Sequence, residues 1–503
     1  MSLKNGVYLS FISILVTNLT NIILTPFIIR SLGQSDYGLY ALIGAFVGYL
    51  AILDFGLGTT ITRFIAKYRT KNDILKQENL LFLVGCLYLV FTTLLTIIGI
   101  IITFQLGLIL PNLDSRELHD AKIMFIILVI SLGLTLPMNL FNGVISAYER
   151  FVFQKNMIII RTLLRALLVF ILLSIGYKAL AIVLIDALLN ITLSIIYAIY
   201  VLFYLKLRIK FHYFDMTFIK SLLKYSFFIF VSVIVDQIYW RIGHLILGIK
   251  RSTEEVAVFA VGMTLTQYLI VFSTAISGVF LPRITRMIVS DSSSHVLTEQ
   301  MIKIGRIQFG VLGLIFSAFF LLGKDFIYLW AGPGYEQSWL ISMLIMTPLL
   351  LVLTQTLGIT ILQAKNLHGF RALSYLAISL VNAYLSIRLV DNYGVIGVAL
   401  GTTLSLIIGN LLVMNIYYHR KVKLNMITFY FKLFKGWLIS LLLSSFLGYI
   451  IIEQSNTWFE LLFYSLTYII IYVTISWLIG MNLYEKNLFK GELLKVKKVI
   501  TRK

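Results

Sequence analysis

One cysteine, six prolines and 22 acidic residues are all that 503 positions hold of those residue types, and each scarcity removes a class of protein. A single thiol, Cys86, rules out a disulfide framework and a cysteine-built metal site; lying in an apolar run, it is expected to be buried. No His, Cys and carboxylate set has metal-ligand spacing, so neither a metal nor another cofactor is expected. Charged residues make up 13% of the chain, against roughly 25% in soluble domains, too few to coat a water-facing exterior. No G-x-x-x-x-G-K-[ST] occurs. Gly323-Lys324-Asp325 lacks the upstream glycine and the hydroxyl residue, so the chain does not drive itself with ATP. With so few acids the net charge is +20 and the pI about 9.7, which suits either a nucleic-acid binder or a membrane protein with basic loops.

What the chain has in abundance is apolar length: 59% of its residues are hydrophobic and the mean hydropathy is +0.93. About 20 apolar residues cross a bilayer as a helix, and the sequence divides into about fourteen such stretches. They are residues 6–30, 37–63, 79–103, 122–147, 156–176, 179–205, 224–248, 256–281, 305–329, 338–363, 370–390, 394–418, 434–452 and 459–480. The closest splits fall at Gly176-Tyr177-Lys178 and Asn392-Tyr393-Gly394. The first stretch is too long for a signal h-region and ends in no small-residue cleavage site, so it reads as a retained span. With the N-terminus in the cytoplasm, inner segments carry 31 of the 42 Lys and Arg residues and outer segments eight. Arg161, Arg165 and Arg241 lie inside spans. That bias orients the chain with both ends inside and accounts for the basic pI without nucleic acid.

Two parts of the chain echo each other. Asp36-Tyr37-Gly38-Leu39-Tyr40-Ala41 parallels Glu255-Val256-Ala257-Val258-Phe259-Ala260. Ala147-Tyr148-Glu149-Arg150 parallels Gln363-Ala364-Lys365-Asn366, and Gly176-Tyr177-Lys178 parallels Asn392-Tyr393-Gly394. The shift is near 216–220 residues throughout. The expected architecture is therefore two pseudo-symmetric six-helix lobes, 1–207 and 208–420, followed by residues 421–503 with two extra helices and a basic cytoplasmic tail. Paired lobes of this kind suit alternating access.

Charges inside spans are costly and usually face a cavity or a partner. The first span carries Asn18, Asn21 and Thr25 on one stripe, leading to Pro26 and Arg30. The second carries Asp54, Gly58 and Thr62 and closes at Arg63. Arg161 and Arg165 lie one turn apart on the fifth, and Asp186 and Asn190 on the sixth. The seventh carries Asp236, Gln237, Arg241 and His244. Guanidinium groups match phosphate oxygens in geometry and charge, so a cationic cavity is one reading; aspartate–arginine pairs gluing helices together is the other. Asn139 and Asn142 beside Pro137 are expected to relieve a kink, and Pro348 to bend the tenth span. The acidic run Asp114-Ser115-Arg116-Glu117-Leu118-His119-Asp120 reads as a solvated turn.

The run Asn21…Pro26…Arg30-Ser31-Leu32-Gly33…Asp36-Tyr37-Gly38-Leu39-Tyr40…Leu53-Asp54-Phe55-Gly56-Leu57-Gly58…Arg63-Phe64-Ile65-Ala66 resembles the opening of bacterial polysaccharide-biosynthesis flippases. These are the O-antigen and capsule repeat-unit flippases of the multidrug/oligosaccharidyl-lipid/polysaccharide exporter superfamily. The resemblance implies an all-α, MATE-like, two-lobed membrane fold in the bacterial inner membrane. It implies a flippase, not an enzyme, that passes an undecaprenyl-pyrophosphate-linked glycan to the outer leaflet, with membrane lipid and other polysaccharide-assembly proteins as partners. It further implies a pyrophosphate-binding cavity built from Arg30, Arg63, Arg161, Arg165 and Arg241, lined by Asn18, Asn21, Gln237 and His244. Asp54, Asp186 and Asp236 are then candidates for ion coupling, and the thirteenth and fourteenth spans for holding the lipid tail. Two rivals stand beside it. A drug or cation antiporter would favour an acidic cavity and twelve spans, and a polysaccharide polymerase or ligase would carry a large outer loop.

Overall fold

The computed structural model describes residues 3–289, 293–365 and 367–490; Asn366 and the basic tail beyond residue 490 lie outside them. Among the described residues there is no strand. Twelve helices are long and apolar enough to cross a bilayer, and a thirteenth crossing is a broken pair, Gln337–Leu353 with Thr356–Leu362, bent by 51°. The run Gly369–Arg420 hides one more. Gly394 interrupts it with φ 56° and ψ −137°, and side chains on either side of the break then touch. Ser386 Oγ donates to the Val398 carbonyl at 3.4 Å, and the Tyr375 hydroxyl bonds Asn410. Twelve residues of straight helix would separate Ser386 and Val398 by about 18 Å. The run is therefore a hairpin of two spanning arms. Among the described residues the count is fourteen.

Helix exteriors are apolar, with Phe104 and Leu108 each 80% exposed, and only lipid solvates such surface. Cys86 is exposed on this face, not buried as expected. Lipid and protein interior are equally apolar solvents for a thiol, so hydropathy does not separate them.

Packing gathers the helices into two units, Met1–Ala260 with Ser379–Val398, and Val261–Ile378 with Ala399–Lys503. The grouping follows contact in space, whereas the lobes 1–207 and 208–420 follow sequence duplication. In the first unit α1 (Leu3–Leu32) packs on α6 (Phe151–Ser174), and α2 (Gln34–Leu50) on α8 (Met216–Lys250); α5 (Ser115–Ala147) sits between α4 (Ile74–Ile109) and α7 (Ala179–Ile199). At the start of α4, Asp73 caps the helix by accepting from the Lys76 N–H, and the Lys76 ammonium beside it holds its carboxyl below the usual range. In the second unit α10 (Ser294–Ala331) is the hub for α11 (Gln337–Leu353), α15 (Met426–Phe434), α16 (Trp437–Ile451) and α17 (Trp458–Ile475).

Three further sequence expectations change. The second span is not one helix. α2 runs into a 3-10 turn, Ala51–Asp54, and α3 (Leu57–Thr70) restarts after Phe55 and Gly56, both left-handed at φ 53° and 67°. A Cβ on Gly56 would lie 2.4 Å from Ile229 Cγ2, so glycine meets two requirements there, one conformational and one steric. Gly56→Ala is expected to lower the thermal midpoint of the purified protein clearly, through left-handed strain plus a clash; Gly33→Ala, also at positive φ but with nothing within 4 Å, carries strain alone and should cost less. Equal midpoints would remove the clash. The sharp bend of the tenth span falls at Thr354-Gln355, six residues past Pro348, which lies inside α11. The run Asp114–Asp120 is no turn: Asp114 and Glu117 form a capping box that starts α5.

Candidate functional site

In the first unit, span periodicity places Arg161 and Arg165 on one face of α6 and Asp186 on α7. The structure joins Arg165 to Asp186 side-on and bidentate, Nε to Oδ1 at 2.5 Å and Nη2 to Oδ2 at 3.0 Å. Tyr40 of α2 closes the ring: Arg165 Nη2 donates to its hydroxyl at 3.3 Å, and that hydroxyl donates to Asp186 Oδ2 at 3.4 Å. Arg161 stands one turn away, and its buried Nε has no hydrogen-bond partner. Two guanidinium groups thus share one carboxylate, leaving an excess positive charge at this point in the membrane.

The second group stands on α8. Arg241 takes no carboxylate among the described residues; its Nη1 donates to the Gly44 carbonyl of α2 at 3.0 Å. The guanidinium lies so close to α2 that a Cβ on Gly48 would fall 2.6 Å from its Nε. Gln237, four residues before it, leaves Oε1 buried and unbonded; so do His244 Nδ1 and the Tyr49 hydroxyl. His244 meets the Phe259 ring edge-on, with centroids 5.1 Å apart. Three buried polar groups thus surround a guanidinium that bonds a backbone carbonyl. Tyr40, Gly44 and Gly48 recur at four-residue spacing, one face of α2. That face therefore gathers Arg165 and Arg241 about one helical turn apart.

Asp54 sits at the break between α2 and α3. The Tyr88 hydroxyl donates to it at 3.0 Å and Asn139 Nδ2 at 3.1 Å, while the backbone amides of Gly56 and Gly58 face it. The carboxylate is ringed by neutral donors and joins the second, third and fourth spans. It pairs with no arginine among the described residues. Asn139, expected to relieve the kink at Pro137, spends its amide here.

Arg30, Arg63 and Asp236 occupy exposed positions. Asn18 donates to its own helix, at the Ile14 carbonyl, 2.7 Å, and Asn21 is half-buried. Tyr40, Tyr49, Tyr88 and the glycine face of α2 were not singled out by sequence, although the Tyr40–Gly44–Gly48 spacing is visible there. Also missed was buried Asp36, which receives Arg116 Nη2 at 3.1 Å and Lys178 Nζ at 3.0 Å.

In the second unit a cavity of about 350 Å³ opens beside Tyr268, Leu314, Phe319, Phe326, Leu461 and Ile469, between the eighth, ninth and fourteenth spans. Its walls are almost wholly apolar.

Residues 2–288 match the model of a family described as polysaccharide biosynthesis protein. No curated protein matches by sequence. Among solved structures the chain is similar to the lipid II flippase MurJ in an inward closed conformation, with TM-score 0.73 and 16% identity over 94% of this chain and 97% of that one. It is also similar to an inward-facing multidrug resistance MATE family transporter of the MOP superfamily, with TM-score 0.63 and 16% identity over 78% and 93%. A MATE transporter of Vibrio cholerae, VcmN, follows with TM-score 0.58 and 13% identity over 84% and 98%. The MATE-like all-helical membrane fold is common to them and to this chain.

Proposed function

This chain belongs to the polysaccharide biosynthesis protein family, and from that premise we propose that it is a flippase carrying an undecaprenyl-pyrophosphate-linked oligosaccharide repeat unit across the bacterial inner membrane by alternating access. The observation that carries the reading is a local excess of guanidinium beside α2. Of Arg161, Arg165 and Arg241, only Arg165 takes a carboxylate, Asp186, among the described residues. Guanidinium groups held without acids in a low-dielectric site are expensive to keep and are suited to a bidentate phosphate. An antiporter of organic cations would need the opposite sign.

In this reading the pyrophosphate is drawn to Arg161 and Arg241 along the face of α2. The thirteenth and fourteenth spans would hold the polyprenyl tail, and no bond is made or broken. In the same reading both termini face the cytoplasm, which the bias of Lys and Arg among the loops supports. Of the candidate coupling carboxylates, Asp186 is held by Arg165, whereas Asp54, ringed by neutral donors, has a charge free to be titrated by a proton or screened by a cation.

Deleting the gene and analysing membrane lipids tests the proposal. Lipid-linked repeat units should accumulate facing the cytoplasm while surface polysaccharide disappears. Unchanged polysaccharide with altered drug resistance would replace it with the antiporter.

A further inference from the structure

Between the sixth and seventh spans, the residues from Lys206 to Phe214 form no helix, yet their backbone is fixed. Asn79, 2% exposed near the start of α4, accepts from the His212 N–H at 2.9 Å and the Tyr213 N–H at 3.2 Å, and donates to the Tyr213 carbonyl at 2.9 Å. Its neighbour Glu78 bonds His212 Nε2 at 2.8 Å, and Phe82 meets the Phe211 ring, centroids 5.3 Å apart. A buried asparagine that spends its whole amide on a loop backbone does not hold a slack linker.

The outer side of this strap is unusual in composition. Lys206, Arg208 and Lys210 are exposed, and none takes an ion-pair partner among the described residues. They alternate with exposed Ile209, Phe211 and Tyr213, followed by Phe214 at 63% exposure. Alternating basic and aromatic side chains at the end of a bundle meet both components of a bilayer interface: rings settle at headgroup depth, and ammonium and guanidinium groups meet phosphate.

We propose that the Lys206–Phe214 strap is a preformed docking surface for anionic phospholipid headgroups, with Lys206, Arg208 and Lys210 on the phosphates and Phe211, Tyr213 and Phe214 anchored among the acyl-chain ends. The occupant is bulk anionic lipid and not the transported molecule, because three unpaired cations in a row beside apolar rings match a lipid surface, not one enclosed head. Each such charge contributes about fivefold to affinity for an anionic surface, and the attraction weakens as salt screens it.

The test uses the full-length protein in detergent, titrated with phosphatidylglycerol or phosphatidylcholine, with thermal stabilisation and native mass spectrometry of retained lipid as readouts. Phosphatidylglycerol should stabilise the native chain selectively, with an effect that fades in high salt. The triple variant Lys206→Gln, Arg208→Gln, Lys210→Gln should shift the phosphatidylglycerol titration by about two orders of magnitude at unchanged folding without lipid. The charge-keeping pair Lys206→Arg, Lys210→Arg should retain the native response. If the triple variant does not fold, single substitutions of the same positions replace it, each expected to shift the titration about fivefold. A variant that responds like the native protein, or equal stabilisation by phosphatidylcholine, would overturn the proposal. So would loss of binding to a lipid-linked pyrophosphate with the phosphatidylglycerol response intact, which would give the strap to the substrate.

Discussion

Replacing Arg306 by alanine is expected to cost the protein more stability than any other single truncation in the second unit. Arg306 is 5% exposed and Glu485 1%, and every guanidinium N–H is used. Nε and Nη2 reach the two carboxylate oxygens of Glu485 at 2.6 and 3.1 Å. Nη1 donates to the Lys432 and Lys435 carbonyls at 2.6 and 2.8 Å, and Nη2 to the Gly480 carbonyl at 2.9 Å. One residue of the ninth span thus holds the break in the thirteenth, where Gly436 turns at φ 81°, and the end of the fourteenth. The same face of α10 receives Phe429, Trp437 and Tyr472 against Gly305, Gly310 and Gly313. Breaking a buried pair from one side costs about 3–5 kcal/mol, and three carbonyls left without donors add about 1 kcal/mol each. Arg306→Lys should recover little, since one ammonium cannot reach four acceptor groups. The double variant Arg306→Met, Glu485→Leu should recover the ion-pair part but not the carbonyls, and so fall between. Thermal midpoints by size-exclusion chromatography of the detergent-solubilised protein decide the order; an Arg306→Ala variant as stable as the native chain would show the knot to be idle.

Much of this architecture was legible in sequence, and what was missed shares a cause. Fourteen spans follow from apolar length alone, and the hairpin at Gly394 was foreseen from its Asn-Tyr-Gly turn. Helical periodicity reports which side chains share a face, so Arg161 with Arg165, and Gln237 with Arg241, came out as neighbours. It does not report what lies opposite. Whether Arg165 would meet Asp186 and Arg241 a backbone carbonyl depends on which helices touch, a matter of tertiary packing. The break at Phe55-Gly56 escaped for a related reason. The four-residue spacing Asp54, Gly58, Thr62 continues as if the helix were intact, and glycines in spans serve close packing as often as a change of backbone direction. Proline misled in the other direction: Pro348 has no hydrogen to donate, but the break comes one and a half turns later, in a stretch without proline.

Substituting the arginine of the eighth helix tests the transport site most directly. Arg241→Ala is expected to reduce export by one to two orders of magnitude with normal expression, because a hydrogen bond to a charged group contributes about 1.5–3 kcal/mol and Arg165, the neighbouring cation on the α2 face, is already held by Asp186. Arg241→Lys keeps the charge but loses the fork, and should recover only part. The two glycines of α2 then separate charge from placement. A Cβ at Gly44 meets nothing within 4 Å, whereas one at Gly48 would fall 2.6 Å from Arg241 Nε and 2.7 Å from its Cζ. Either alanine favours the helix by about 1 kcal/mol, so neither should lower expression. Gly44→Ala also leaves the carbonyl that Arg241 uses, and should export normally. Gly48→Ala pushes the guanidinium from its seat without removing it, and should resemble Arg241→Lys, with weakened affinity for the lipid-linked pyrophosphate. Export is measured as surface polysaccharide in complemented cells, and affinity by titrating the purified protein with a lipid-linked pyrophosphate. Two glycine variants that export equally well would separate Arg241 from the substrate, since a group that touches the pyrophosphate must lose contact when it is displaced by more than an ångström.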